Sequence, residues 1–337
     1  MTPPPSKRRP TIDDVSAAAG VSRGTVSRVL NGGHWVGPDA LAAVNAAIKK
    51  TGYRVNPHAR SLATSRANSV AFLLTESHER LFEDPNFAVL MSGASRALSV
   101  HDISLVLIMA GNEDEQRRAT EFVTAGHVDG VLLVSSHSGR RGLSEIIAAG
   151  VPAIACGVPL GFENKMGYVA ADDYEGAREM VRYLTSLGRT RIATITGPED
   201  TSGGMRRFEA YVDERADVFD ETYVAHGDYS RSSGAAAMTA LLTRHPDLDA
   251  VFAANDVMAA GALDVLLASG RRVPEDVAVG GFDDGPIAAT THPPLTTMRQ
   301  PFDRISEEMV RLLLQVIGGE RPAAMVLPTD LVVRESA

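Results

Sequence analysis

From residue 69 to residue 336 the chain repeats one alternation, a short apolar run followed by an amphipathic helical stretch. The runs fall at 69–75, 103–110, 130–136, 151–157, 168–172, 191–196, 223–227, 250–256, 277–284 and 325–336. Stretches such as EQRRATEFVTAG, YEGAREMVRYLTSLG and DVMAAGALDVLLASG separate them. Apolar runs this short, alternating with helices, predict strands of parallel sheets covered on both faces. The series is too long for one sheet and reads as two similar α/β units. Ligands of such sheets bind outside the carboxyl ends of the strands. The polar residues that close strands are therefore candidates: Thr75, Ser135, Asn255, Asp256, Asp283 and Asp284. Two such units facing one another enclose a cleft.

A different pattern precedes this body. In TIDDVSAAAGVSRGTVSRVLN (11–31), Thr11 is a natural N-cap and Asp14 completes a capping box. Ile12, Val15 and Ala19 share one helical face, and Gly20 stops the helix. Ser22 caps a second helix that packs through Val21, Val26, Val29 and Leu30. Arg23, Gly24, Thr25, Ser27 and Arg28 are left facing outward, a small, basic face that a DNA major groove accepts. An ordinary αα-hairpin satisfies the same spacing, and charge favours the DNA-reading version. Residues 1–66 hold ten Lys or Arg against three acids, a formal +7; the whole chain is −9, so residues 67–337 carry −16. A basic head on an acidic body is expected when only the head meets a polyanion.

Pro38 opens a third helix that Gly52 ends, with Val44 and Ile48 facing a small core. In NPHARSLATS, Asn56 caps and Pro57 takes the first helical position. A helix of two turns is marginal alone and needs a partner helix or DNA. Leu62 has little core to enter; it suits a wedge between base pairs in the minor groove, or a packing contact in a plain linker.

The single cysteine, Cys156, excludes an internal disulfide and a cysteine-rich metal site. The start, MTPPPSKRRP, is basic and proline-rich without an apolar core, so neither a secretory signal nor a membrane span is expected, and a cytoplasmic location is. The body has no GxGxxG opening a helix, no Walker A pattern, no GxSxG and no HExxH. Its histidines are scattered. The acid pairs Asp172–Asp173 and Asp283–Asp284 suit general acid–base work only at a defined separation, but they also suit binding of polyhydroxylated ligands. Binding is the favoured reading over catalysis. A transporter-feeding sugar-binding protein explains the body but not the basic head.

These blocks resemble, over nearly the full length, the lactose-repressor/galactose-repressor (LacI/GalR) family of bacterial transcription regulators. The resemblance rests on TIDDVSAAAGVSRGTVSRVLNG, Val36, Gly52-Tyr53, NPHARSL and SVAFLL, then NDVMAAGAL, VPEDVAVGGFDD, PPLTTMRQP and LPTDLVVRES, in that order. It implies a disordered arm (1–9), an all-α helix-turn-helix headpiece (10–55), a hinge helix and linker (56–68), and a core (69–337). That core is two Rossmann-like parallel-sheet subdomains similar to periplasmic binding proteins: about 69–170 with 301–328, and about 171–300 with 329–337. Arg23 and Gly24 then set base specificity. Thr25, Ser27, Arg28 and Asn31 lie near phosphates or base edges, and the caps Thr11 and Ser22 join this set. Asn56, Ala59 and Leu62 occupy the hinge, with Leu62 as the wedge. In the cleft, Arg207, Asn255, Asp283 and Gln300 are implied ligand contacts, and Tyr229 stacks on the ligand.

The implied partners are a palindromic double-stranded operator, a small effector of carbohydrate type and a second copy of the chain, with no cofactor, metal or membrane. Effector binding between the subdomains shifts the population of DNA-competent dimers. Four features depart from the family. Ala40-Leu41 stands where a Thr-Arg pair is common in the third helix, which removes one backbone contact. Gly24 offers no side chain to a base, which leaves more of the readout to Arg23. Cys156-Gly157-Val158 stands where many sugar-binding relatives carry Asp. The loop ESHERLFEDPNF (76–87) is longer than usual, and Phe82 and Phe87 either close over the ligand or pack the loop.

Overall fold

The computed structural model describes residues 10–30, 36–53, 66–135, 137 and 141–337. They divide into two compact units, one up to Ala67 and the other Asn68–Ala337.

The first unit contains α1 (Ile12–Ala19), α2 (Arg23–Leu30) and α3 (Pro38–Thr51). Its start is a complete capping box: Thr11 N–H donates to Asp14 Oδ2 at 2.7 Å, and Asp14 N–H donates to Thr11 Oγ1 at 3.4 Å. Gly20 and Gly52 end α1 and α3 at φ +67°, where a Cβ is strained. Val15, Val26, Val44 and Ala47 form the buried centre, with Ile12, Val29, Leu30 and Tyr53 packed around it.

The second unit opens with β1 (Ser69–Leu74), α4 (His78–Glu83), α5 (Asn86–Ser99), β2 (Ser104–Met109) and α6 (Glu113–Thr124). Then come β3 (Gly130–Val134), α7 (Arg141–Ala148), β4 (Ala153–Cys156), β5 (Gly167–Ala171), α8 (Asp173–Ser186), β6 (Ile192–Thr196) and α9 (Ser202–Glu214). The rest is β7 (Val224–His226), α10 (Arg231–Arg244), β8 (Ala250–Ala253), α11 (Asp256–Ala268), β9 (Ala278–Asp283), β10 (Thr296–Arg299), α12 (Phe302–Ile317), β11 (Ala324–Leu327) and β12 (Asp330–Val332).

Two six-stranded sheets result, ordered β11-β5-β4-β3-β1-β2 and β12-β10-β9-β8-β6-β7. The chain changes sheet after Ala171, after Arg299 and after Leu327, and α12 returns to pack on the first sheet. The first sheet is parallel throughout, whereas β12 runs antiparallel to β10, so the second sheet is mixed at that edge. These are the two parallel-sheet α/β subdomains that the sequence predicts, with one antiparallel edge strand added to the second. The cause is the switch at Pro328-Thr329, which divides the single run 325–336 into one strand for each sheet. Strand β10 carries no apolar run; its Thr296 and Thr297 are buried because their hydroxyls have partners in Arg334 and Asp256.

Candidate functional site

On the first unit, Ser22, Arg23, Gly24 and Arg28 are exposed, and Thr25 and Ser27 are half-buried. Ser22 Oγ accepts from Thr25 N–H at 3.2 Å and pairs with Thr25 Oγ1 at 2.9 Å, which fixes the start of α2. Arg28 Nε donates to the Gly24 carbonyl at 3.3 Å, and Arg23 lies 3.9 Å from Asp13. Bonds this exposed are weak and open to exchange for a phosphate. Asn31, Asn56, Ala59 and Leu62 fall outside the described residues.

In the second unit a cavity of about 160 Å³ opens at the carboxyl ends of both sheets. Arg207, Tyr229, Asn255, Asp283 and Gln300, which sequence comparison points to, all line it. Arg207 projects from α9 across the Phe282 ring, 3.7 Å from its centroid. Its Nε and Nη2 both lie 2.8 Å from Asp173 Oδ1, while Nη1 reaches Asp283 Oδ1 only at 3.4 Å and also meets the Ala254 carbonyl. Burial would lower the Arg207 pKa, but Asp173, Tyr229 and Asp283 raise it above its ordinary value. Its neighbour Arg206 is half-exposed, paired with Glu209 and stacked over Tyr174.

Asp283 is the hub. It accepts from Gln300 Nε2 at 2.6 Å and from Asn86 Nδ2 at 3.0 Å, so residues from both sheets converge on one carboxylate. Burial pushes its pKa up to about 7, against the opposing charge of Arg207. Asp173 is the closer partner of that guanidinium, so burial prevails at Asp283. Beneath it Asp256 is wholly buried, bonded to Thr297 Oγ1 at 2.6 Å and to Gly285 N–H at 3.0 Å, and burial raises its pKa well above the carboxylate range. Asp284 turns away to Arg299 and Arg334.

Both polar atoms of the Asn255 side chain are engaged. Oδ1 caps α11 by accepting from Met258 N–H at 2.9 Å, and Nδ2 donates to the Tyr229 carbonyl at 3.1 Å. Tyr229 sits at φ +70°, and Ser135 and Asp283 are also at positive φ, +59° and +114°. Strained non-glycine backbone gathers at active sites, ligand clamps and switch regions. Gly197 makes room for the Tyr229 ring: a Cβ there would lie 2.4 Å from it.

Sequence reasoning missed the polar groups that α4, Asp84 and the start of α5 supply. Residues 78–83 are helical behind the Ser77 N-cap, which accepts from Arg80 N–H at 3.3 Å. Phe82 is 84% exposed, whereas Phe87 is buried and lines the cavity with Arg80, Asp84 and Asn86. Burial raises the Asp84 pKa while Arg80 opposes it. His137 joins the two sheets outside the cavity, with Nε2 3.0 Å from Glu76 and Nδ1 2.9 Å from Asp200. Burial raises the Glu76 pKa, but the bonds from His137 and Ser135 and the charge of Arg80 leave it below its ordinary value. Cys156 lines the cavity as a thiol whose pKa burial pushes up to about 12, so it is no nucleophile. Among the described residues no cluster of His, Cys, Asp or Glu could hold a metal ion, and no helix is long and apolar enough to cross a membrane.

Comparison with known proteins matches both units. The family model for bacterial regulatory proteins of the lacI family covers residues 11–56, and that for a periplasmic binding protein-like domain covers residues 181–337. The HTH-type transcriptional regulator CelR of Thermobifida fusca is 45% identical over 336 residues, 98% of this chain and 99% of that one. The ribose operon repressor of Escherichia coli K12 is 33% identical over 313 residues, 91% of this chain and 93% of its own. Among solved structures, a CelR–cellobiose complex superposes with a TM-score of 0.78 at 43% identity, covering 98% of this chain and 100% of that one. A lac repressor dimer bound to operator and the anti-inducer ONPF gives 0.86 at 26% identity, covering 98% and 99%. A helix-turn-helix unit joined to a two-sheet core, matched end to end by transcriptional regulators, places this chain in the lacI family of bacterial regulatory proteins.

Proposed function

We propose that this regulator binds a palindromic operator as a homodimer and that a small neutral saccharide, held in the cavity, controls its DNA affinity. The headpiece of residues 10–55 reads DNA, residues 56–68 form the hinge, and residues 69–337 bind effector and dimerise. Arg23 and Gly24 face base edges; Thr11, Ser22, Thr25, Ser27, Arg28 and Asn31 meet phosphates or adjoining bases; Asn56, Ala59 and Leu62 enter the minor groove. The protein works in the cytoplasm, on the nucleoid when DNA-bound. The relatives support the effector class, one having been solved with cellobiose and another named for a ribose operon.

The observation that carries the neutral-ligand reading is the charge inside the cavity. Arg207 already faces Asp173 and Asp283, and Arg80 faces Asp84. Among the described lining residues no third cation remains for an anionic group. Unpartnered charge is costly to bury. Isothermal titration is therefore expected to show cellobiose, glucose or ribose binding at least about 100-fold more tightly than glucose 6-phosphate. Equal or tighter binding of the phosphate would overturn the reading.

The DNA half is tested by selecting bound duplexes from a random library and sequencing them with and without these sugars. One palindromic motif whose enrichment changes with sugar is the expected result; enrichment indifferent to every sugar would exclude effector control by this class. On the selected site, Arg28→Ala is expected to weaken binding on all sequences alike and to reduce the salt slope by about one. An unchanged slope would mean that Arg28 meets no phosphate.

A further inference from the structure

Helix α4 and the start of α5 supply a cavity wall whose hydrogen bonding is incomplete. Arg80 Nη1 donates at 2.6 Å to the Tyr229 carbonyl on the opposite side of the cleft, and Nη2 lies 3.4 Å from Asp84 Oδ2. The guanidinium sits between two rings, 5.9 Å from the Phe87 centroid and 5.8 Å from that of Tyr229. Its Nε–H is buried and has no partner. Asn86, 5% exposed, gives its Nδ2 to Asp283, and its Oδ1 is likewise buried without a partner. With Asp283 ionised the amide is held this way round, since turning it over would set Oδ1 against the carboxylate. A buried donor and a buried acceptor left open on one cavity wall invite a group that can both accept and donate.

We infer that Arg80 and Asn86 are specificity-determining residues for the effector: Arg80 Nε–H donates to, and Asn86 Oδ1 accepts from, hydroxyls of a neutral polyhydroxylated ligand. The same arginine clasps the two sides of the cleft. Tyr229 holds its left-handed backbone while its carbonyl accepts from Arg80 and Asn255, and Arg231 N–H donates at 2.9 Å to Glu83 Oε1. One side chain thus reports ligand occupancy to the segment that closes the cleft. The inference rests on the saccharide reading of the cavity.

Two readouts on the full-length protein test it: calorimetric affinity for cellobiose, glucose and ribose, and sugar-free hydrogen exchange of the peptide spanning Gly227–Ser233. Arg80→Lys keeps a cation facing the Tyr229 carbonyl, on a stem one bond shorter than the one that carries Nη1, and has no Nε–H. It is expected to lose about ten- to a hundred-fold in sugar affinity while exchange changes less than in Arg80→Ala. Asn86→Ala should lose affinity likewise, with exchange as in the unaltered protein. Arg80→Ala should weaken affinity and speed exchange together. Unaltered affinity in Arg80→Lys would remove Arg80 from the ligand, and unaltered exchange in Arg80→Ala would remove the clasp. If none of the three sugars binds the unaltered protein, the saccharide reading and the ligand part of this inference fall together, and exchange alone decides the clasp.

Discussion

Replacing Arg207 by alanine is expected to abolish effector binding and to destabilise the second unit by about 3–5 kcal/mol. The guanidinium is 7% exposed and is shared between Asp173 and Asp283, which are nearly as buried. Removing it leaves two carboxylates facing each other in a poorly solvated cavity and strips a cation from the face of Phe282. Removing one member of a buried ion pair costs far more than the net worth of the pair, because the partner's desolvation goes uncompensated. Arg207→Lys keeps a charge but cannot span both carboxylates or stack flat on the ring, so an intermediate loss is expected. Chemical denaturation followed by a probe in the second unit reads the effect. The first unit has its own core of Val15, Val26, Val44 and Ala47, so its helical signal should persist and non-specific DNA binding should survive. A loss below about 1 kcal/mol would show that water replaces the guanidinium and that the pair is not truly desolvated.

The sheets were legible because most strands are apolar runs that need no partner information to recognise. Strand β10 was not, since Thr296-Thr297-Met298-Arg299 is buried only by virtue of partners supplied by α11 and the C-terminal segment, Asp256 and Arg334. The change of sheet at Pro328-Thr329 hides inside one apolar run for a similar reason: nothing local says that its two halves pair with β5 and β10. In the headpiece both signals were local, a capping box closed over three residues and a glycine at positive φ, and both are present. The cavity behaved differently. Asn255 and Asp283 were already candidates as polar residues that close strands, whereas Arg207, Tyr229 and Gln300 came only from likeness to a family, because their chemistry arises when distant segments meet. Arg80 bonds to a residue 149 positions away and Asn86 to one 197 away, so no local pattern marks either. The N-cap at Ser77 was the one available sign that residues 76–87 were more than a loop. Of its two phenylalanines Phe87 lines the cavity and Phe82 is exposed, and the polar Arg80, Asp84 and Asn86 line the cavity with Phe87.

The largest pH effect is expected at Asp283. Burial raises its pKa to about 7 in the folded chain, against an ordinary value of 3.8. Between these values the native state holds a proton that the unfolded chain releases. Stability changes with pH as the difference in bound protons, unfolded minus native, which is negative in this window. The contribution of Asp283 is therefore full below pH about 4, falls as pH rises to about 7 and is flat above, an interval corresponding to about 4 kcal/mol. Asp256 and Asp84 are displaced in the same direction by the same cause, so they steepen the fall. On the acid side Asp276 acts oppositely: Arg272 holds it at about 2, so its stabilisation is lost as pH drops through that value. The melting midpoint of the second unit should accordingly peak near pH 4 and decline towards pH 8. Asp283→Asn stays neutral throughout and should flatten the decline; an equal slope in both proteins would mean that Asp283 ionises normally. Effector affinity should move the other way, because an ionised carboxylate is the stronger acceptor for ligand hydroxyls. The same proton thus opposes stability and binding: as Asp283 ionises, the empty cavity becomes costlier to maintain and the filled one gains, which makes effector occupancy itself more stabilising at pH 8 than at pH 5.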